Sequence, residues 1–357
     1  MKQSNNSETD SFDPTQNLTS LWAFSEGFLG GIFSAAKIPF KGLLLGNISV
    51  SVIILIANFN SKKGAILKAG TITTIIKAII SPYSTLPAYI AVFTQTLLGE
   101  LLFLKRNFMQ MSGIILGIVT SVLSSLQRII VLTLLFGNSF WETVDSFAAY
   151  IYNEFSGGHV IPSGFRFSNW LIGTYVIIHA VIGFVTGYFV SGYARRIRHN
   201  EIFGKEFLAD FSKDNSILKE GDLIKTKKRK NKYLKFSKIA LFVFLLTVLI
   251  LSYVLNDTQN KSFFDSKSVW LMLLRSVTIM ILWLKVIGPF LNSLIKSRLL
   301  KNRSKYSEEI HYTLKMLPSV KLLLLYSWKS SGGKGFSKIS KFISVFIPAL
   351  LGYKAED

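Results

Sequence analysis

Cysteine is missing altogether from the 357 residues. That excludes disulfides, thiolate metal sites and a cysteine nucleophile, and it hides the compartment from any redox argument. Charge is scarce as well. Asp, Glu, Lys and Arg make up 17% of the chain, where a soluble domain carries about a quarter. Together with the long apolar blocks described below, this excludes a disordered chain, a fibrous repeat and an ordinary soluble enzyme. Acid is scarcer than base, 20 residues against 41, for a net charge of +21. Histidine occurs four times, never at metal-pair spacing, and neither HExxH nor GxSxG is present. The run Ser331-Gly332-Gly333-Lys334-Gly335 lacks the first glycine and the hydroxyl residue that a phosphate loop needs. No internal repeat is visible.

What the chain does have is apolar length. Half of it (50%) is hydrophobic, and mean hydropathy is +0.39. The apolar residues run in continuous blocks, which favours spanning helices over an alternating β-barrel. Six blocks fall at about 21–40, 43–59, 64–80, 86–104, 112–136 and 169–192, with a polar and aromatic loop over 137–168. Lys62, Lys63, Lys105, Arg106, Arg195, Arg196 and Arg198 follow the even-numbered blocks, while Glu142, Asp145 and Glu154 lie in the long loop. The positive-inside rule then puts the N-terminus in the cytoplasm of a multi-pass protein of the cell (inner) membrane. Lys37 and Lys41 are discordant unless they snorkel.

Residues 1–20 read as a disordered cytoplasmic tail, without the order of a signal peptide. Residues 199–236 read as a basic cytoplasmic linker whose lysine run touches anionic lipid headgroups. Nucleic acid is not the expected partner. Residues 237–357 supply two more spans, about 239–255 and 269–291. Amphipathic stretches follow, one stopping at Pro318 and the last, 342–351, too short to cross. These are expected as interfacial helices on the cytoplasmic face. The expected fold is therefore all-α: a six-helix membrane bundle with a C-terminal membrane and interfacial part.

Polar residues inside spans are expensive and point to function. Lys77, Gln95, Gln127 and Arg128 share the outer leaflet by this topology, and such a set would line an outward cationic pocket for an anionic solute. Snorkelling accounts for Lys77 or Arg128 alone, but not for the glutamines. Trp141, Tyr152 and Asn153 in the long loop are the other candidate wall. A loop of that length is often a lid, with Gly157-Gly158 as its hinge. Gly27, Gly31 and Ala35, flanked by Gly30 and Ser34, form small-residue rows that admit a neighbouring helix backbone, from outside or within the bundle. No catalytic or metal site is expected.

The run 64–70 (Gly-Ala-Ile-Leu-Lys-Ala-Gly), then Lys77, Ser81-Pro82, Gln95 and Gly99-Glu100-Leu101, with the Gly27/Gly31/Ala35 helix, resembles substrate-binding S components of energy-coupling factor (ECF) transporters. The resemblance covers about residues 21–198. It implies a six-helix protein that captures a vitamin-like solute or metal ion and docks through its first helix on a transmembrane T component. Two ATPase subunits would use the ATP, so this chain needs no cofactor. Gly27, Gly31 and Ala35 would be the docking face. The C-terminal third departs from an S component. It is faintly similar to part of a T component but lacks that component's Ala-Arg-Gly motifs.

Two rivals stand beside this reading. One is a non-transport scaffold that recruits a partner or anionic lipid through the linker and C-terminal helices. The other is an intramembrane enzyme, which needs Glu100 and His179 within hydrogen-bond distance as an acid–base pair.

Overall fold

The computed structural model describes residues 14–156 apart from 37, 39, 82, 83 and 85, then 166–199, 208, 211, 243–250, 266–290 apart from 288, and 306–353. No strand occurs among them. The basic linker, the Gly157-Gly158 hinge and His159 lie outside the described residues, as does most of the span expected over 239–255.

Helix α1 (Pro14–Phe24) opens with proline at its first position, where the missing amide costs nothing. Thr15 and Asn17 to Phe24 are buried in it, so the expected tail ends at least seven residues sooner than Ser20. The first expected span is not one continuous α-helix either. A π-helical turn, Ser25–Leu29, separates α1 from the short α2 (Gly30–Ala35). Then come α3 (Lys41–Phe59), α4 (Ala65–Ile80) and α5 (Leu86–Phe103). After α6 (Met109–Phe136), the expected polar loop is largely an amphipathic helix, α7 (Ser139–Phe155), and α8 runs from Phe167 to His199.

Side chains from neighbouring elements finish two of the helix ends. Gly64 takes a left-handed φ of +83° before α4, a conformation glycine adopts freely. The Glu100 carboxylate accepts the Gly64 and Leu67 amides at 2.6 and 3.2 Å, filling valences that a helix N-terminus leaves open. At the start of α8, Asp145 accepts the Ser168 amide at 2.6 Å and its hydroxyl at 2.9 Å. Asp145 thereby ties α7 to α8.

The closest helix pair is α6 with α8. A methyl group on Gly117 would collide with the Gly183 carbonyl and one on Gly183 with the Gly117 carbonyl; one on Gly187 would strike the Gly113 carbonyl, and one on Gly113 the Ser191 hydroxyl. The pairs 113/187 and 117/183 show that the helices are antiparallel. Lipid supplies no hydrophobic drive between helices, so close backbone approach of this kind is what holds them.

The C-terminal part contributes α9 (Ser266–Leu282), followed by a π-turn over Trp283–Ile287. Arg275 of α9 is fully buried, with its guanidinium packed against Gly137 at the end of α6. Helix α10 (Ser307–Ser330) continues through Pro318 rather than stopping there, and α11 (Gly335–Gly352) is 18 residues long rather than a short segment. α10 and α11 form a hairpin packed on α1, and one apolar core runs from α1, α3 and α4 into both.

Among the described residues, four helices are long and apolar enough to cross a membrane: α3, α6, α8 over Phe167–Ile197, and α11. This is a helical membrane protein. Of the six expected blocks, only three meet that criterion. α4 has 16 residues, the fully described part of α5 is the shorter apolar helix Pro87–Phe103, and the first passes through a π-turn with helical backbone on both sides.

Candidate functional site

The most unusual chemistry lies at the π-turn. Glu26 and Lys77 are 5% and 3% exposed, yet both carry charged groups. The Lys77 Nζ donates to Glu26 Oε2 at 2.6 Å and to the Ala88 carbonyl at 3.3 Å, and it lies 5.7 Å from the Tyr89 ring centre. The other carboxylate oxygen accepts the Ser49 hydroxyl at 2.8 Å, and Ser49 accepts the Trp22 indole N–H at 2.9 Å. Both carboxylate oxygens and two of the three ammonium hydrogens have partners on other elements, and such additional hydrogen bonds are what let a buried ion pair persist. Glu26 stands twelve residues past Pro14 of α1 and Lys77 twelve past Ala65 of α4, or about 18 Å each at the helical rise.

Lys77, Gln95, Gln127 and Arg128, the set expected to line an outward pocket, fall in different surroundings. Lys77 is taken by Glu26. Gln95 is buried beside Gly46 of α3, with its Oε1 unpartnered. Gln127 is half-buried and Arg128 exposed on α6. No described hydrogen bond or ion pair joins the four. Trp141 donates to the Thr133 hydroxyl at 2.9 Å, which pins α7 to α6, whereas Tyr152 and Asn153 are exposed on α7. A cavity of about 170 Å³ lies at the opposite end, lined by Asn60, Lys62, Lys63, Glu100 and Phe103 among others.

The small-residue rows divide. Gly27 packs on the Ile80 side chain and Gly30 on Leu45, so both serve internal packing. A Cβ on Gly31 would meet nothing within 4 Å. Ser34 and Ala35 fall in and at the end of α2. The acid–base pair is overturned: Glu100 caps α4, while the His179 Nδ1 lies 2.9 Å from the Tyr175 carbonyl on its own helix. Among the described residues no group of His, Asp and Glu is placed to hold a metal.

Glu26 was legible only as an acid in an apolar block. Its partner is 51 residues away, and the blocks read from hydropathy put the two at different depths, five and thirteen residues in, so the sequence carried no signal that they meet. The facing Gly113/Gly117 and Gly183/Gly187 pairs, each a GxxxG, were also passed over in favour of the first helix.

Comparison with protein-family models, with curated proteins and with solved structures yields no match. The fold therefore defines the class, a helical membrane protein, and the chemistry of the buried charges carries the functional argument.

Proposed function

We propose that the chain captures a small anionic, vitamin-like solute in the membrane and delivers it inward, as an ECF-type S component working with a T component and two ATPase subunits. The observation that supports this most is the Glu26–Lys77 pair at the π-turn. Ionisable groups at membrane depth are retained for function, and π-turns recur at functional sites. Glu26 lies in the π-turn of the first span and Lys77 on α4, and Gly31, five residues past Glu26, has open space around it. Lys77 is the cation for the solute, and Gly31 opens the docking face.

The test is native mass spectrometry of the detergent-purified full chain, looking for a co-purifying small molecule. A discrete added mass, lost in Lys77→Ala, identifies the solute. Gly31→Leu should retain that mass and lose uptake, because only docking is blocked. A chain that stays empty after a vitamin screen and tolerates Lys77→Ala fits the scaffold instead. That reading is favoured by the engagement of Lys77 with Glu26.

A further inference from the structure

Near the ion pair, two buried oxygens have no hydrogen-bond partner among the described residues: the Thr73 hydroxyl of α4 and the Gln95 side-chain carbonyl of α5. Thr73 is wholly buried and Gln95 is 5% exposed. An unmade hydrogen bond is costly at such a place, because lipid offers no water to replace it. Thr73 also forgoes a bond within reach. Thr71 and Thr74 on the same helix each donate to the carbonyl four residues back at 2.7 Å. Thr73 does not, so its hydroxyl is available to a group outside its own helix.

The packing brings the two oxygens to one level. α3, α4 and α5 meet at Gly99, where a Cβ would strike Ile53 of α3 and lie 3.3 Å from Ile66 of α4. Seven residues along α3 from Ile53 stands Gly46, where a Cβ would lie 3.4 Å from the Gln95 amide nitrogen. Seven residues along α4 from Ile66 stands Thr73. Each step is two turns, about 10.5 Å. A short turn joins α3 to α4, so both steps run the same way along the seam. The ion pair adjoins this level. Lys77 is one turn past Thr73, and Ser49, which donates to Glu26, is one turn from Gly46. Glu26 and Ala88 take two of the three Lys77 ammonium hydrogens, which leaves one for a guest.

We infer that Thr73 and Gln95 are the specificity residues of the Lys77 solute site. The solute they select is a small acid that also carries an N–H or O–H group, about 6 Å or one helical turn from its carboxylate. This rests on the transport reading. The carboxylate accepts the remaining Lys77 hydrogen, the N–H or O–H donates to the Gln95 carbonyl, and the Thr73 hydroxyl bonds to either. An acid without the second group would leave the Gln95 oxygen buried and unpaired, and sites built this way reject such analogues by roughly 10⁴-fold.

Native mass spectrometry of the detergent-purified full chain, from cells grown in rich medium, reads the two claims separately. Gln95→Met and Thr73→Val keep the side-chain size and remove the hydrogen-bonding atoms. Each should lower the fraction of protein carrying the added mass at least about tenfold, while Thr73→Ser should retain it. The added mass should fit an acid with a further N–H or O–H. A solute held equally well by Gln95→Met and Thr73→Val, or one with no such group, overturns this inference and leaves the role of Lys77 standing. An unaltered chain with no added mass sinks both. If a variant aggregates, competition on the unaltered protein decides. The co-purified compound is set against its analogue with C–H in place of that N–H or O–H. Weaker binding of the analogue supports the inference, and equal binding overturns it.

Discussion

At the scale of single residues, the buried charges set the largest energies. Removing one partner of a buried ion pair strands the other and costs about 3–5 kcal/mol, whereas removing both is often nearly neutral. Glu26→Gln and Lys77→Met should each lower the unfolding temperature of the detergent-purified protein by several degrees. The double variant should recover most of the loss. A double variant as unstable as the worse single would show that Ser49 and Ala88 position these groups independently of the pair. Ser49→Ala is the milder case. It breaks the link between the Trp22 indole and the Glu26 carboxylate, and one interhelical hydrogen bond in a membrane averages about 0.6 kcal/mol.

At the scale of elements, glycine separates internal packing from an open face. Gly117→Leu places a side chain against the Gly183 backbone, and backbone cannot rotate away as a side chain does. Gly117→Leu should abolish monodisperse protein on size-exclusion chromatography, while Gly31→Leu should elute and melt like the unaltered chain. The helical blocks themselves were legible, because apolar length with internally paired backbone is the only way such segments persist in lipid. The π-turn was not, since hydropathy is blind to a single extra residue per turn. The hidden amphipathic helix α7 was not legible either. Its residues are polar and aromatic enough to read as loop, and it is held by contacts no local pattern announces, Asp145 on Ser168 and Trp141 on Thr133. The differing surroundings of the pocket set were not legible for a related reason. Shared depth puts residues at one level of a bundle but leaves their helical face open, and Arg128 came out exposed while Lys77 and Gln95 turned inward.

At the scale of the whole molecule, contacts sort the helix ends into two groups. Asn60 donates to Thr15, Glu100 caps α4, and Arg195 pairs with Gln110, so the α1, α4 and α6 starts share one end with the α3, α5 and α8 finishes. Lys62, Lys63, Lys105 and Arg196 gather there. Glu142, Asp145 and Glu154 gather at the other end with α7. By the positive-inside rule the basic end is the one expected to face the cytoplasm. A cysteine at Ser61 should then resist an impermeant maleimide on intact cells, while one at Glu154 should react; the reverse pattern inverts the protein. The hairpin meets the body at this basic end through Lys68 and Glu309, which adds a pH dependence. Burial opposes ionisation of Glu309, but the hydrogen bond from Lys68, a backbone hydrogen bond and the Lys68 charge together outweigh it and hold the carboxyl below its ordinary value of 4.5. A depressed carboxyl stabilises the folded state above its unfolded value, and that contribution fades as pH falls through the lower folded value. Hairpin attachment should therefore be insensitive between pH 6 and 8, roughly, and weaken below about 4.5. Protection of the α10 amides from hydrogen exchange is the readout. Lys68→Ala should flatten the acid response, and the size of the effect should be modest because the lysine is half exposed and well screened. An acid response of equal size in Lys68→Ala would place its origin in some other carboxylate.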